Sequence, residues 1–231
     1  MTEFCFTKVD VSGLGPISEN QPPLNFNTGL NIISGCNGTG KTFIAKKLLE
    51  NVPKEVSAEL IHIGENYYGH EKQLKELFIE NYSNDLKIKY ENALNKIFNL
   101  KYGKSKFVFE FEKDANNSII HSTYRDLGAT NEYRLLVPST SERICMALAM
   151  KFSIAAITNL NAPLIIDGLL LELDTSLRTS FLDFAIANYR QIILLASPLA
   201  LDIANLKPDY MLLFHRDKQH TYITTKYPIK S

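Results

Sequence analysis

The chain has no tryptophan, and only three of its 231 residues are cysteines. Cys5, Cys36 and Cys145 are widely spaced, odd in number and without metal-ligand spacing. That argues against a disulfide scaffold and favours a reducing compartment. Net charge is missing too, since 25 Lys and Arg balance 25 Asp and Glu. No global field draws such a chain to nucleic acid or to an anionic membrane, so any contact of that kind needs a local patch. Long apolar runs are lacking. The most apolar stretch, residues 144–157, is broken by Lys151 and falls short of the roughly 20 residues that cross a bilayer. The start, Met1-Thr2-Glu3-Phe4, lacks the basic-then-apolar layout of a signal peptide. A cytoplasmic protein without a membrane partner is the expectation. The five histidines show no ligand spacing, and no Ser/His/Asp arrangement is legible.

At 45% hydrophobic and 22% charged residues, what is present suits one ordinary globular domain over residues 1–231. Residues 4–11 alternate as a strand, and residues 24–34 read as a strand pair bent at Asn27-Thr28-Gly29. A helix is predicted over 40–51 with Phe43, Ile44, Leu48 and Leu49 inward, and a buried strand over 59–63. Residues 70–102 read as a small helical insert. Residues 105–125 read as a hairpin turning at Asp114-Ala115-Asn116-Asn117. A helix over 141–159, a strand over 163–166, a helix over 177–188, a strand over 191–196 and a closing hairpin over 210–227 complete the pattern. Strands alternating with helices predict an α/β mixed sheet flanked by helices, with an antiparallel β subdomain.

Residues Gly35-Cys36-Asn37-Gly38-Thr39-Gly40-Lys41-Thr42 fit G-x-x-x-x-G-K-[ST] in full. The pattern sits after an apolar strand and before an amphipathic helix, which is where its chemistry requires it. Glycines let the loop curl so that backbone N–H groups face phosphate oxygens. Lys41 supplies a mobile positive charge, Thr42 a hydroxyl for Mg²⁺, and the following helix its positive end. ATP and Mg²⁺ are the expected ligands. Leu164-Ile165-Ile166-Asp167 is the matching apolar strand ending in a carboxylate, the second Mg²⁺ element such proteins use.

Pro138-Ser139-Thr140-Ser141-Glu142-Arg143 precedes an amphipathic helix, and Ser139 with Glu142 has capping-box spacing. The same segment lies roughly twenty-five residues before the carboxylate strand, after the helical insert and hairpin. That order resembles the ABC-type ATPase head. The resemblance implies that Ser139, Thr140, Ser141 and Glu142 stand where the family's L-S-G-G-[QE] signature meets the nucleotide of an opposite head. It implies likewise that Asp174 is the aspartate lying across a dimer interface. Residues 24–42 (LNFNTGLNIISGCNGTGKT) resemble the SMC/RecF-like group. Residues 165–174 (IIDGLLLELD) are similar to the ATPase subunit of DNA phosphorothioation systems.

Departures from the family are specific. Gly168 stands where the catalytic glutamate would be, Ser197 where a phosphate-sensing histidine would be, and the signature has neither glycine. Glu172 is a substitute candidate for orienting water, and Gln73 a candidate contact to magnesium. The resemblance implies a head that dimerises around MgATP, with itself or another head, and couples binding or slow hydrolysis to an effector. DNA repair and anti-phage defence are the settings it suggests. A nucleotide-gated module with little hydrolysis and a transporter's ATPase subunit are the alternatives. Lys87, Lys89, Lys96, Lys101, Lys104 and Lys106, interleaved with Tyr90, Phe98 and Tyr102, read as a solvated helix face or a nucleic-acid patch. Phe4, Phe6 and Phe26 read as core or as adenine-stacking rings.

Overall fold

The computed structural model describes residues 2–64, 67–102, 107–113, 119–126, 133–134, 139–201, 206, 208–216 and 221–226. The first part of the chain forms β1 (Thr2–Glu3), β2 (Lys8–Val9), β3 (Leu24–Asn25), β4 (Gly29–Ser34) and α1 (Lys41–Glu50). Then come α2 (Ala58–Ile61), β5 (His62–Gly64), α3 (Tyr67–Glu80) and α4 (Asn84–Tyr102). An antiparallel β6 (Phe107–Lys113), β7 (Ile119–Asp126) and β8 (Tyr133–Arg134) follow. The last part holds α5 (Thr140–Ile157), β9 (Leu160–Asn161), β10 (Leu164–Asp167), a 3-10 turn Leu169–Glu172 and α6 (Thr175–Asn188). β11 (Gln191–Ala196), α7 (Pro198–Leu201), β12 (Tyr210–Arg216) and β13 (Thr221–Lys226) close it.

The central sheet has six strands in the order β13-β12-β4-β11-β10-β5. Its neighbours run parallel except β13, which turns back antiparallel on β12. β10 and β11 are buried along their whole length, as strands covered on both faces must be, and their sequences are correspondingly near-continuous apolar runs. The mixed α/β architecture expected from the alternation is therefore the one observed. Among the described residues, no helix is long and apolar enough to cross a membrane.

Several expectations change. Residues 4–11 do not form one strand: Thr2–Glu3 pairs with Leu160–Asn161, and Lys8–Val9 pairs with Leu24–Asn25. Between them the backbone of Phe6 is satisfied by the buried Gln191 side chain, which accepts from Phe6 N at 2.9 Å and donates to Phe6 O at 2.8 Å. A side-chain amide has replaced the ladder. Residues 59–63 begin as the helical turn Ala58–Ile61 and become strand only at His62, where Ile165 offers a partner. The Asp114–Asn117 turn lies outside the described residues.

The helical insert folds back at residues 81–83, and α4 packs on α5 and α6. Leu86, Tyr90, Ala93, Leu94, Ile97 and Phe98 are buried there at helical spacing. Tyr90 is 0% exposed and Phe78 meets it edge to face at 5.1 Å, so these rings fill the core and stack on no base. Lys87 pairs with Glu91 at 3.7 Å, the solvated-face arrangement. The side chains of Lys101 and Tyr102, and residues 104 and 106, lie outside the described set.

The bend before β4 positions everything downstream. Asn31, fully buried, accepts from Asn27 N at 2.9 Å and donates to Asn27 O at 2.8 Å. Gly29 has φ +85°, and an added Cβ would collide with the Asp209 carboxylate, which accepts from Leu30 N at 2.8 Å. Gly29→Ala combines left-handed strain with loss of that charge-assisted bond, and is expected to cost about 3 kcal/mol in urea unfolding. A loss below about 1 kcal/mol would show that this clasp yields freely.

Candidate nucleotide site

β4 ends at Ser34, and the chain enters a loop in which Gly35 N donates to Ala196 O at 3.3 Å. A Cβ on Gly35 would come within 2.6 Å of Phe214 Cβ and 2.7 Å of Thr39 Oγ1, so only glycine fits there. Gly38 and Gly40 have φ +78° and +101°, the left-handed values that let the chain curl. Thr39, buried, closes the curl by donating to Cys36 O at 2.8 Å. Gly40 then caps α1 with no side-chain hydrogen bond, and no acidic residue occupies the first turn. The positive end of α1 is thereby left to an anion. Lys41 Nζ lies inside the ring, donating to Gly35 O at 2.6 Å and Cys36 O at 2.9 Å.

A cleft of about 520 Å³ opens on this loop, lined by Asn37, Gly38, Gly40, Lys41, Thr42 and, from elsewhere, Asp167, Gly168, Glu172 and Ser197. The sheet order explains the meeting. β10 is one strand removed from β4, with β11 between, so Asp167 stands two strand spacings, roughly 9–10 Å, to the side of the loop. Ser197 follows the intervening strand and so falls between them. Asp167 is only 7% exposed and lines the same cleft as Thr42, and a carboxylate with a hydroxyl offers the oxygen donors that suit a hard cation. Among the described residues no group of three or more His, Cys, Asp or Glu could hold a metal. Mg²⁺ that keeps several waters and uses phosphate oxygens needs no more than Thr42 and Asp167. Gly168 is left-handed at φ +78° and donates to Leu195 O at 3.0 Å, starting the 3-10 turn that brings Glu172 to the cleft.

No protein-family model and no curated protein sequence matches the chain. Solved structures do. An SMC head solved bound to the C-winged helix domain of ScpA superposes with a TM-score of 0.69 at 11% identity, covering 97% of this chain and 98% of that one. The SMC head domain from Thermotoga maritima gives 0.60 at 13%, covering 99% and 100%. The chain has the SMC-head fold.

Within this SMC-head fold, Ser139, Thr140, Ser141, Glu142 and Asp174 do not line the cleft. Ser139 caps α5 in a complete capping box: its hydroxyl accepts from Glu142 N at 3.3 Å, and its N–H donates to Glu142 Oε2 at 2.8 Å. Ser139 and Thr140 are exposed. Ser141 Oγ donates to Glu172 O at 2.7 Å, tying the segment to the cleft's rim. Asp174 caps α6, accepting from Leu177 N at 3.0 Å and Ser176 Oγ at 2.9 Å. Gln73 is exposed on α3 and is not a lining residue. Phe6 and Phe26 are buried, and Phe4 packs edge to face on Phe6 at 4.8 Å, so these rings belong to the core.

Residues the sequence did not mark also reach the site. Pro16, Phe43 and Leu171 line it, and Arg216 Nη1 comes within 3.5 Å of Gly38 O. Phe43 was expected inward and is 48% exposed, because Ile44, Ala45 and Leu48 take the buried arc of α1. A phenylalanine one position before an inward run gives no sequence signal that it faces a cleft.

Proposed function

We propose that the chain is an ATP-binding head of the ABC/SMC type. It holds MgATP on residues 35–42, with Thr42 and Asp167 as the metal's protein ligands. It closes face to face with a second head, identical or different. Ser139, Thr140, Ser141, Glu142 and Asp174 then face the partner's nucleotide. Binding or slow hydrolysis is coupled to an effector protein. The observation that carries the reading is the single cleft uniting the loop with Asp167, Glu172 and Ser197. A head of this fold engages a winged-helix domain of ScpA, which supports a protein segment as the class of effector. The resemblance favours DNA repair or anti-phage defence as its setting.

Mg²⁺, when bound, would supply charge neutralisation to the triphosphate. The loop amides and Lys41 would orient the triphosphate, and Thr42 and Asp167 would hold the cation beside it. Glu172, which lines the cleft, is the candidate for orienting the attacking water, since Gly168 has no side chain to do so. Calorimetry with MgATP, light scattering for dimers and single-turnover phosphate release test the reading together. No magnesium-dependent uptake of ATP at millimolar concentration would remove it. Glu172→Gln is expected to slow phosphate release about 100-fold at unchanged affinity, the scale of a lost general base. An unchanged rate would assign the water to the opposite head.

Gly168 favours a second reading, a nucleotide-gated module that scarcely hydrolyses. ATP-dependent dimers without phosphate release over many hours would select it.

A further inference from the structure

The lining of the cleft changes character from end to end. Both lining carboxylates, Asp167 and Glu172, lie on the side toward β10 and β11, together with Gly168, Leu171 and Ser197. Pro16 occupies the other side of the loop. Its carbonyl accepts from Thr221 N at 2.7 Å, and Ile17 bridges Thr221, the first residue of β13 at the opposite edge of the sheet. A compact turn holds it there: Ser12 N and Oγ donate to Asp10 Oδ1 at 3.0 and 2.8 Å, and Ile17 N donates to Leu14 O at 3.0 Å.

Phe43 extends this end. Its ring lies against Gly15 so closely that a Cβ there would be 2.8 Å from a ring carbon. It nonetheless keeps 48% of its surface exposed, and it lines the cleft. An aromatic ring braced on one side and open on the other is a stacking surface.

A nucleoside triphosphate is polar in the same sense as the cleft, with phosphates and metal at one end and a flat base at the other. Asp167 fixes the phosphate end, which puts the base at Pro16 and Phe43. We infer that Phe43, braced by Gly15 and lining the cleft with Pro16, is the base-stacking platform of the site, accepting purines by ring area without distinguishing adenine from guanine. The inference rests on residues 35–42 being the phosphate site. The lack of discrimination rests on the two described residues that would meet the base. Pro16 has no N–H and its carbonyl is engaged by Thr221, while Phe43 has an apolar side chain and its N–H donates to Gly40 O at 3.1 Å. Stacking alone accepts any base, and the bicyclic ones offer the larger face.

The chain's lack of tryptophan makes the test direct, because Phe43→Trp introduces the sole indole. Binding of ATP, GTP, CTP and inorganic tripolyphosphate, each with Mg²⁺, is measured by calorimetry on the natural chain, on Phe43→Ala and on Phe43→Trp. Phe43→Ala is expected to weaken ATP and GTP about tenfold while tripolyphosphate stays within about twofold. In Phe43→Trp, ATP and GTP are expected to quench the fluorescence and tripolyphosphate to leave it unchanged. CTP is expected to bind more weakly than either purine, and ATP and GTP to agree within about threefold. If tripolyphosphate binds and Phe43→Ala leaves ATP unchanged, the platform is overturned and the phosphate site stands. Equal weakening of ATP and tripolyphosphate by Phe43→Ala would also overturn it, by showing that the ring merely supports the loop. A natural chain that binds neither ligand overturns both readings. GTP weaker than ATP by more than about tenfold would overturn the lack of purine discrimination.

Discussion

Lys41→Ala is expected to weaken MgATP binding by about 100-fold, measured by titration calorimetry. The ammonium is held inside the loop by two carbonyls, Gly35 O and Cys36 O, within a ring whose glycines admit no side chain. Truncating one partner of a desolvated, hydrogen-bonded charge pair costs roughly 2–5 kcal/mol, and about 3 kcal/mol corresponds to that factor. Two effects combine in this variant. The phosphates lose a counter-charge, and the loop loses the bridge that holds Gly35 and Cys36 together before any ligand arrives. Lys41→Arg separates them: it keeps the charge but cannot seat a planar fork on the same two carbonyls, so its affinity should fall between the other two proteins. A Lys41→Ala affinity within about threefold of the natural chain would show that the loop is not the phosphate site.

The second large effect is expected at Asp167, and its signature is a lost dependence on magnesium. The natural chain should bind ATP at least about tenfold more weakly when Mg²⁺ is removed by EDTA, because the triphosphate's charge then meets a buried carboxylate directly. Asp167→Asn removes that repulsion along with the anion that holds the metal's waters. Its ATP affinity should therefore be nearly the same with and without Mg²⁺. Phosphate release, where the natural chain shows it, should fall by about 100-fold or more. If Asp167→Asn keeps the full response to magnesium, the metal is held elsewhere and the nearness of β10's end to the loop has no catalytic meaning.

Much of the candidate cleft was legible in the sequence because its requirements are local. Gly35, Gly38 and Gly40 answer to φ angles and close approaches within eight residues, and Lys41 and Thr42 follow in fixed register. Asp167 was legible for a related reason, since a carboxylate ending an apolar buried strand needs a cation or hydrogen bonds to offset its desolvation. What could not be read was set by distant partners. Pro16 reaches the cleft because Thr221, some two hundred residues later, holds its carbonyl. Phe6 forgoes a strand ladder because Gln191 supplies the amide. The interval between loop and carboxylate depends on β11 inserting between β4 and β10, and parallel crossovers leave no trace in local pattern. Phe43 was misplaced for a subtler reason. Its position borders the apolar arc of α1, and periodicity alone cannot resolve a boundary residue.

The bond from Ser141 to the carbonyl of Glu172 has a mechanical consequence. Glu172 closes the 3-10 turn that begins at Gly168, and Ser141 lies in the opening turn of α5. Whatever enters the cavity and shifts that rung must either snap a 2.7 Å link or drag the start of an eighteen-residue rod along with it. Any displacement of Glu172 is thus tied, through a single hydroxyl, to the exposed start of α5.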